Sequence, residues 1–314
     1  MHNLRLLLLL PLAVAGICCK WDSGNGNTAQ AYPSQQEETT PQDFAEEKIP
    51  AILTQTGYTA ADSAKVVSLL NKETGQNDVL FYARHFRGTP YVGGTLEVGK
   101  TEKLIVNLRQ MDCATYAETV LALAMTHRQG SRDFAAFCQN LMSLRYRDGL
   151  NTGYLSRLHY FTWWMHDNMA RGIIAPVTLP DRLTTPLHVN NYYMSRNAEK
   201  YPHLKGNTAR IDSIRRMEQA QNGSDGRYLP AAQTHLSRKE LPYISDGDLI
   251  AIVTRKKGLD YSHLGFAVWG KDGHLHLLNA SQLHRQVVEE PKPLHKYLKE
   301  HPTSIGIRLW RLAE

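Results

Sequence analysis

The 314-residue chain is predicted to fold as an α+β domain in which helices come before an antiparallel sheet. Up to about residue 175, apolar residues recur mainly at helical spacing. From Tyr243 onward they alternate with polar residues, as they do in half-buried strands. The dipeptide Asp272-Gly273 lies between two of these alternating runs and is typical of a tight hairpin turn. The two periodicities therefore indicate separate helical and sheet portions.

The first 45 residues are predicted to precede the folded domain. Residues 1–19 start with a charged segment and continue as an apolar run too short for a membrane-spanning helix, which indicates an export signal. Cys18 or Cys19 could be the lipidated first residue of a bacterial lipoprotein. Residues 20–45 are rich in Ser, Gly, Asn, Gln, Thr, Glu and Pro and contain almost no aliphatic residues, which predicts a disordered tether. We therefore expect a bacterial protein that is exported to the periplasm or anchored to the membrane as a lipoprotein, with its folded domain at 46–314.

The folded part is predicted to contain its elements in a simple order. The helical half comprises helices within 43–88 that cap or wall a substrate site, a glycine-rich turn at 88–95, a strand at 103–108, a helix starting near Cys113, and a helical, aromatic region at 131–175. The sheet half comprises strands at 248–253, 264–269, 274–279 and 305–312.

Cys113 stands where an apolar helical run begins. The positive end of a helix favours a thiolate over a thiol, and its free N–H groups can hold an oxyanion. This segment alone fits a buried structural thiol equally well. Cys138 lies on an apolar helical face and is interpreted as part of the core.

A cysteine nucleophile needs a base, and His263 lies in one of the alternating runs. Asn279 lies in the next run, after the hairpin. Antiparallel neighbours joined by a short turn can place these two side chains on one face, against the helix that carries Cys113. The sequence therefore predicts a Cys-His-Asn arrangement.

The net charge and the positions of the histidines bear on whether the protein binds anionic polymers, nucleic acid or metal ions. The formal net charge of +6 and the isoelectric point near 9.0 fit an anionic partner such as the cell wall, or simply a soluble surface. No basic run with interleaved aromatic residues suggests nucleic-acid binding. His274 and His276 could bind a metal, but exposed strand positions are favoured because no further ligand motif completes a site. We expect a monomer without a metal or other cofactor.

Five segments, in this order, resemble the NlpC-type papain-like cysteine hydrolases of bacterial cell walls. They are Gly88-Thr89-Pro90-Tyr91-Val92-Gly93-Gly94, Asp112-Cys113 at a helix start, Gly247-Asp248-Leu249, His263-Leu264-Gly265 and Asn279-Ala280-Ser281. Segments 112–118, 144–149 and 154–164 resemble the N-acetylmuramoyl-L-alanine amidase-like branch of that superfamily. The resemblance implies a papain-like fold in which the nucleophile helix packs on the sheet and extra helices precede it.

The resemblance also implies roles for matching residues. Cys113 would be the nucleophile, His263 the base and then the acid, and Asn279 the polar residue that orients the imidazole. Tyr91 matches a tyrosine beside the nucleophile that helps to bind the oxyanion. The implied reaction is hydrolysis of the amide between the muramic lactyl group and L-alanine, in peptidoglycan or muropeptides.

An aromatic and basic cluster is predicted to bind this substrate. Its members are Arg145, Arg157, His159, Tyr160 and Trp164. One predicted helix carries most of them, together with Trp163, and could stack a sugar and grip peptide carboxylates through bidentate arginine contacts. The alternative is a core helix with amphipathic edges, in which a buried arginine needs an acidic partner.

Other functions stay open on sequence alone. An endopeptidase of the same fold would cut the stem peptide between D-glutamate and the diamino acid, and only the segments around Arg145 and Arg157 separate it from the amidase. A non-catalytic wall-binding module is disfavoured because Cys113, His263 and Asn279 occur together. A zinc amidase lacks evident ligands.

Overall fold

The structure is a computed structural model that describes residues 51–223 and 225–314. The predicted export signal at 1–19 and the predicted tether at 20–45 lie outside these residues. No helix of the described ranges combines the length and the apolar character needed to cross a membrane.

Side-chain caps define the starts of most of the longer helices. After a helical stretch at 51–54, the α-helices of the described residues are α1 (Ala60–Leu70), α2 (Asp78–His85), α3 (Cys113–Arg128), α4 (Phe134–Arg145), α5 (Phe161–Ala170), α6 (Tyr193–Arg196), α7 (Thr208–Gln221) and α8 (Leu294–Glu300). The side chains that accept a backbone N–H of the first turn belong to Thr59, Asn77, Asp112, Asp133 and Asn207. These residue types supply the oxygen that a free helix N-terminus lacks.

Strand pairing builds one large antiparallel sheet and one small parallel pair. The strands are β1 (Thr56–Gly57), β2 (Leu104–Ile105), β3 (Ile174–Pro176), β4 (Thr185–His188), β5 (Asp225–Pro230), β6 (Leu249–Thr254), β7 (Tyr261–Trp269), β8 (Leu275–Ser281), β9 (Gln286–Glu289) and β10 (Ser304–Leu312). The large sheet has the order β4-β5-β10-β6-β7-β8-β9, and β3 also pairs with β10. Strands β1 and β2 pair in parallel.

Helix α3 lies between the sheet and the other front-half helices. Residues 115–124 of this helix are all buried. One side packs on β7 and β8, and the opposite side contacts α1, α2 and α4. A helix that is apolar almost all round is expected in such a position. This packing holds Cys113 against the sheet.

The predicted α+β layout is confirmed, with specific errors. The four predicted strands of the second half correspond to β6, β7, β8 and β10, and the Asp272-Gly273 hairpin joins β7 to β8. The helices of 51–88 were expected to wall the substrate site. They pack behind α3 instead and contribute no lining to the cavity beside Cys113 that is described below. The region 131–175 is not continuously helical, because residues 147–160 form extended chain and short 3₁₀ turns.

Candidate active site

Cys113 is the first residue of α3, as the sequence predicts. Asp112 caps the helix, since its carboxylate accepts the Thr115 N–H at 2.8 Å and the Thr115 hydroxyl accepts the Asp112 N–H at 3.0 Å. Cys113 is half-buried, and Cys138 is fully buried in the core. Both are free cysteines, so the Cys113 thiol remains available for chemistry.

The electrostatics of the thiol differ from the prediction that the helix start favours a thiolate. Burial raises the pKa of Cys113 to about 12, and Asp112 adds to the increase. The N–H groups of Leu264, Cys113 and Ala114 act in the opposite direction but do not compensate. Desolvation penalises the charged form more than these dipoles stabilise it. The raised pKa favours the neutral thiol, in contrast to the expected preference for a thiolate.

His263 and Asn279 form the predicted pair. The His263 Nε2 atom lies 2.8 Å from the Asn279 Oδ1 atom, and Asn279 is completely buried. Burial lowers the pKa of His263, although Asn279 acts to raise it, so the neutral imidazole is favoured. The bond occupies Nε2 and leaves Nδ1 as the nitrogen that can exchange a proton with a reactant.

Two local features of β7 position this pair. The register between β6 and β7 shifts next to His263, because Ile252 pairs with His263 and Val253 pairs with Tyr261. Ser262 is therefore an extra residue, and such a bulge can re-aim a neighbouring side chain. Gly265 gives Asn279 its space, since a Cβ at Gly265 would lie 2.9 Å from the Asn279 Cβ. A side chain at the glycine position of the His-x-Gly motif would therefore collide with Asn279.

One cavity brings the thiol and the imidazole together. It has a volume of about 260 Å³. Its lining includes Cys113, Ala114, His263, Leu264, Tyr261, Asp260, Glu97, Glu118, His159, Tyr160, Phe161, Trp164, Met194 and Tyr201. The position beside a half-buried thiol and a neutral imidazole suits acyl transfer, which needs a nucleophile and a base in one water-restricted space.

Tyr91 lies near the start of α3 and is not among the residues that line this cavity. Its backbone pairs with that of Met111, just before the start of α3. Burial raises the pKa of the Tyr91 hydroxyl, and the adjacent Cys113 and Asp112 add to the effect. Tyr91 is therefore a neutral hydrogen-bond donor near the thiol, and its predicted role toward an oxyanion stays a prediction.

Arg145 and Arg157 do not lie at the cavity, where a substrate-binding role was predicted for them. Both are buried, and neither lines the cavity. The Arg145 Nε atom lies 2.7 Å from a Glu118 carboxylate oxygen, and the Arg157 Nη2 atom lies 2.5 Å from a Glu97 oxygen. Direct grip on substrate carboxylates is therefore not what the structure shows. The arginines stand behind two glutamates that do line the cavity, because a buried guanidinium needs an acidic partner.

The other three predicted binding residues do line the cavity, although on different elements. His159 lies in extended chain before α5, with Nε2 at 2.8 Å from the Tyr154 carbonyl, and burial lowers its pKa to about 3. The Tyr160 hydroxyl donates to Glu218 at 2.7 Å, and the Trp164 ring stacks on Phe161 at 5.2 Å. The cluster is thus aromatic and neutral on its cavity side.

Sequence reasoning assigned no binding role to the acidic part of the lining. Glu118 stands in the apolar run of α3, and a charged residue in such a run is the signal that could have identified it. Glu97 follows the glycine-rich turn and carries no comparable signal. The histidines considered as metal ligands lie elsewhere: His276 pairs with Asp272 at 3.1 Å, and the His274 ring contacts His295.

Comparison with protein families identifies the chain. The family model described as N-acetylmuramoyl-L-alanine amidase-like matches residues 82–307. The chain belongs to this amidase-like family. The match includes Cys113, His263 and Asn279, and it confirms the resemblance at the level of the amidase-like family.

Several solved structures are similar to this amidase-like protein. An N-acetylmuramoyl-L-alanine amidase from Bacteroides uniformis is 35% identical, with a TM-score of 0.70, over 76% of this chain and 98% of the other. A protein described as a putative xylanase from Bacteroides fragilis is 37% identical, with a TM-score of 0.68, over 74% and 99%. A Legionella pneumophila protein, 21% identical with a TM-score of 0.62 over 84% and 97%, shares the fold. No curated protein matches the chain significantly.

Proposed function

We propose that this amidase-like protein is a cysteine hydrolase of the NlpC-type papain-like class, which cuts the amide between N-acetylmuramic acid and L-alanine in peptidoglycan or muropeptides. The observation that carries the proposal is the neutral His263 ring, held by Asn279 through one nitrogen, at the same cavity as the Cys113 thiol. Membership of the amidase-like family supports the choice of bond.

The resting pair is neutral, which determines the first chemical step. As Sγ of Cys113 attacks the lactyl carbonyl carbon, Nδ1 of His263 accepts the thiol proton. A C–S bond forms, and the negative charge moves onto the carbonyl oxygen. The N–H groups at the start of α3 and the Tyr91 hydroxyl stabilise this charge.

The remaining steps return the site to its starting state. The C–N bond breaks, and His263 gives its proton to the departing L-alanine nitrogen. Water, deprotonated by the same imidazole, then attacks the thioester. His263 returns this proton to the Cys113 sulfur as the C–S bond breaks, which restores the thiol, and the released muramic carboxylic acid loses its own proton to water.

The aromatic lining supports a sugar-linked substrate. Tyr160, Phe161 and Trp164 line the cavity, and aromatic side chains suit contact with a pyranose. The carboxylates of Glu97 and Glu118 offer acceptors to sugar hydroxyl and amide N–H groups, with their charge balanced by the arginines behind them.

Export is the second part of the proposal. A substrate in the cell wall requires the enzyme to leave the cytoplasm, and the segment at 1–19 has the composition of an export signal. We place the enzyme in the periplasm or on a membrane lipid anchor at Cys18 or Cys19.

Substitution of the three residues tests the mechanism. Cys113→Ala should abolish hydrolysis of a disaccharide tetrapeptide while the melting temperature changes little, because the side chain is small and half-buried. His263→Ala should remove nearly all activity, and Asn279→Ala should lower it by a smaller factor. Cys138→Ala is the matched control and should keep the activity if the core tolerates it.

A chelator separates the cysteine mechanism from a metal mechanism. Dialysis against a chelator should leave the turnover number unchanged. Full activity in Cys113→Ala, or inactivation by the chelator that zinc reverses, would show that the cysteine mechanism is wrong.

A further inference from the structure

A buried carboxylate lies directly behind the His263–Asn279 pair. Glu290 follows β9, is 4% exposed, and places Oε1 at 3.1 Å from the Asn279 Nδ2 atom. Its other oxygen, Oε2, lies 3.0 Å from Nε2 of His284, whose side chain is 37% exposed. A hydrogen-bonded line therefore runs from His263 through Asn279 and Glu290 to the surface at His284.

The strand register explains how these side chains meet. Asn279 pairs with Val288 across β8 and β9, and the Glu290 N–H donates to the Leu277 carbonyl at 2.8 Å. Glu290 is thus the diagonal neighbour of Asn279 on the same face of the sheet. The backbone bond does not depend on the side chain, so an apolar residue would satisfy this strand position. A buried acid at such a position costs desolvation energy and needs a separate reason.

The chemistry of an amide supplies that reason. The two ends of the Asn279 side chain have nearly the same shape, so packing alone does not decide which end faces His263. An ionised carboxylate only accepts hydrogen bonds, so Nδ2 must face Glu290 and Oδ1 must face His263. Oδ1 also only accepts, and therefore the hydrogen of the neutral imidazole must be on Nε2.

We propose that Glu290 is a positioning residue: by accepting from Asn279, it fixes the His263 tautomer with the proton on Nε2 and the free electron pair on Nδ1. This tautomer is the one that can take a proton from Cys113. The use of the ring in catalysis rests on the proposed function, whereas the tautomer itself does not. Nδ2 also makes two longer contacts, at 3.4 and 3.5 Å, with backbone carbonyl oxygens of the two strands. Contacts of that length are weak, so without the Glu290 carboxylate the Asn279 amide can rotate and present Nδ2 to His263, which favours the opposite tautomer.

The test measures the tautomer without any substrate. In the Cys113→Ala protein labelled with ¹⁵N-histidine, the ring ¹⁵N shifts of His263 report which nitrogen carries the proton, and a His263→Asn variant assigns the signals. Glu290→Leu should move a large fraction of His263 to the Nδ1–H tautomer. Glu290→Gln keeps an acceptor oxygen and should retain the Nε2–H tautomer. Glu290→Ala gives the same comparison if Glu290→Leu does not fold.

Activity and a structural control complete the test. With Cys113 restored, Glu290→Leu should lower kcat by about 10- to 100-fold with little change in KM, since a correctly placed base contributes about 10²–10⁴-fold. Asp248→Asn is a matched control, because Asp248 is also buried and pairs with Arg311 at 2.7 Å. It should lower stability and leave the His263 tautomer unchanged.

The outcomes separate this inference from the proposed function. An unchanged Nε2–H tautomer in the apolar Glu290 variants would overturn the positioning role. A tautomer shift in the same variants upholds it even if the wild-type protein cuts no muropeptide, a result that would count only against the amidase.

Discussion

The reactive residues of this protein combine a helix start with deep burial. Cys113 opens α3, where backbone N–H groups lie close to Sγ, yet burial raises its pKa to about 12. The pKa of His263 is lowered by the same desolvation. Both groups are therefore neutral at pH 7. The thiol becomes a nucleophile only when His263 takes its proton during attack.

Alkylation of the thiol tests this neutral pair. Because the thiolate reacts and the pKa of Cys113 is about 12, iodoacetamide should label Cys113 slowly near neutral pH. The rate should rise about tenfold per pH unit between about pH 7 and 9, as the thiolate fraction grows. Peptide mass spectrometry assigns the label, and Cys138→Ala removes the second thiol of the core. A fast rate that stays flat over this range would indicate a thiolate–imidazolium pair instead.

At the scale of elements, buried arginines connect segments that the chain order keeps apart. Arg157 lies before α5 and contacts Glu97 at 2.5 Å and Glu102 at 3.4 Å, both in the segment between α2 and α3. Tyr146, at the end of α4, donates to the same Glu102 at 2.9 Å. These contacts hold one wall of the cavity to the segment that leads into α5.

Arg157→Ala should therefore act on stability. Removing one partner of a buried ion pair leaves uncompensated charge, which costs about 3–5 kcal/mol in the free energy of unfolding. Arg215 on α7 is the control, since it pairs with Asp212 at 2.5 Å and both side chains are about half exposed. Arg215→Ala should change stability by less than about 1 kcal/mol. Urea unfolding measures both, and an Arg157→Ala protein of normal stability but lost turnover would place the guanidinium in the cleft.

At the scale of the whole molecule, the strands of the second half and the motifs could be predicted, and the partners of buried charges could not. Strands β6, β7, β8 and β10 stand out as apolar segments, whereas β4 and β5 contain proline and polar residues and give no such signal. The alternation expected for β6 is wrong, because this central strand is apolar and buried along its whole length. Cys113, His263 and Asn279 stand out because few residue types perform their chemistry. Glu290 carries no local signal, since its role depends on a strand neighbour that only the register supplies.

The prediction that the two buried arginines contact the substrate is wrong for the same reason. A basic residue near aromatic residues predicts a ligand contact as well as it predicts an internal ion pair. The partner of Arg145 is Glu118 on α3, and that of Arg157 is Glu97, 60 residues earlier in the chain. Helical and strand periodicities describe neighbours within an element and contain no information on such distant pairs.

The bond that is cut tests the central claim most directly. The wild-type protein is incubated with a disaccharide tetrapeptide and, separately, with the free tetrapeptide, and the products are identified by mass spectrometry. We expect intact tetrapeptide with a new L-alanine amino terminus from the first substrate. The second should stay uncut, because the free tetrapeptide lacks the amide bond between the lactyl group and L-alanine. Two results would contradict the amidase and establish an endopeptidase: release of L-alanyl-D-glutamate from the free tetrapeptide, or release from the disaccharide tetrapeptide of the C-terminal dipeptide that begins with the diamino acid.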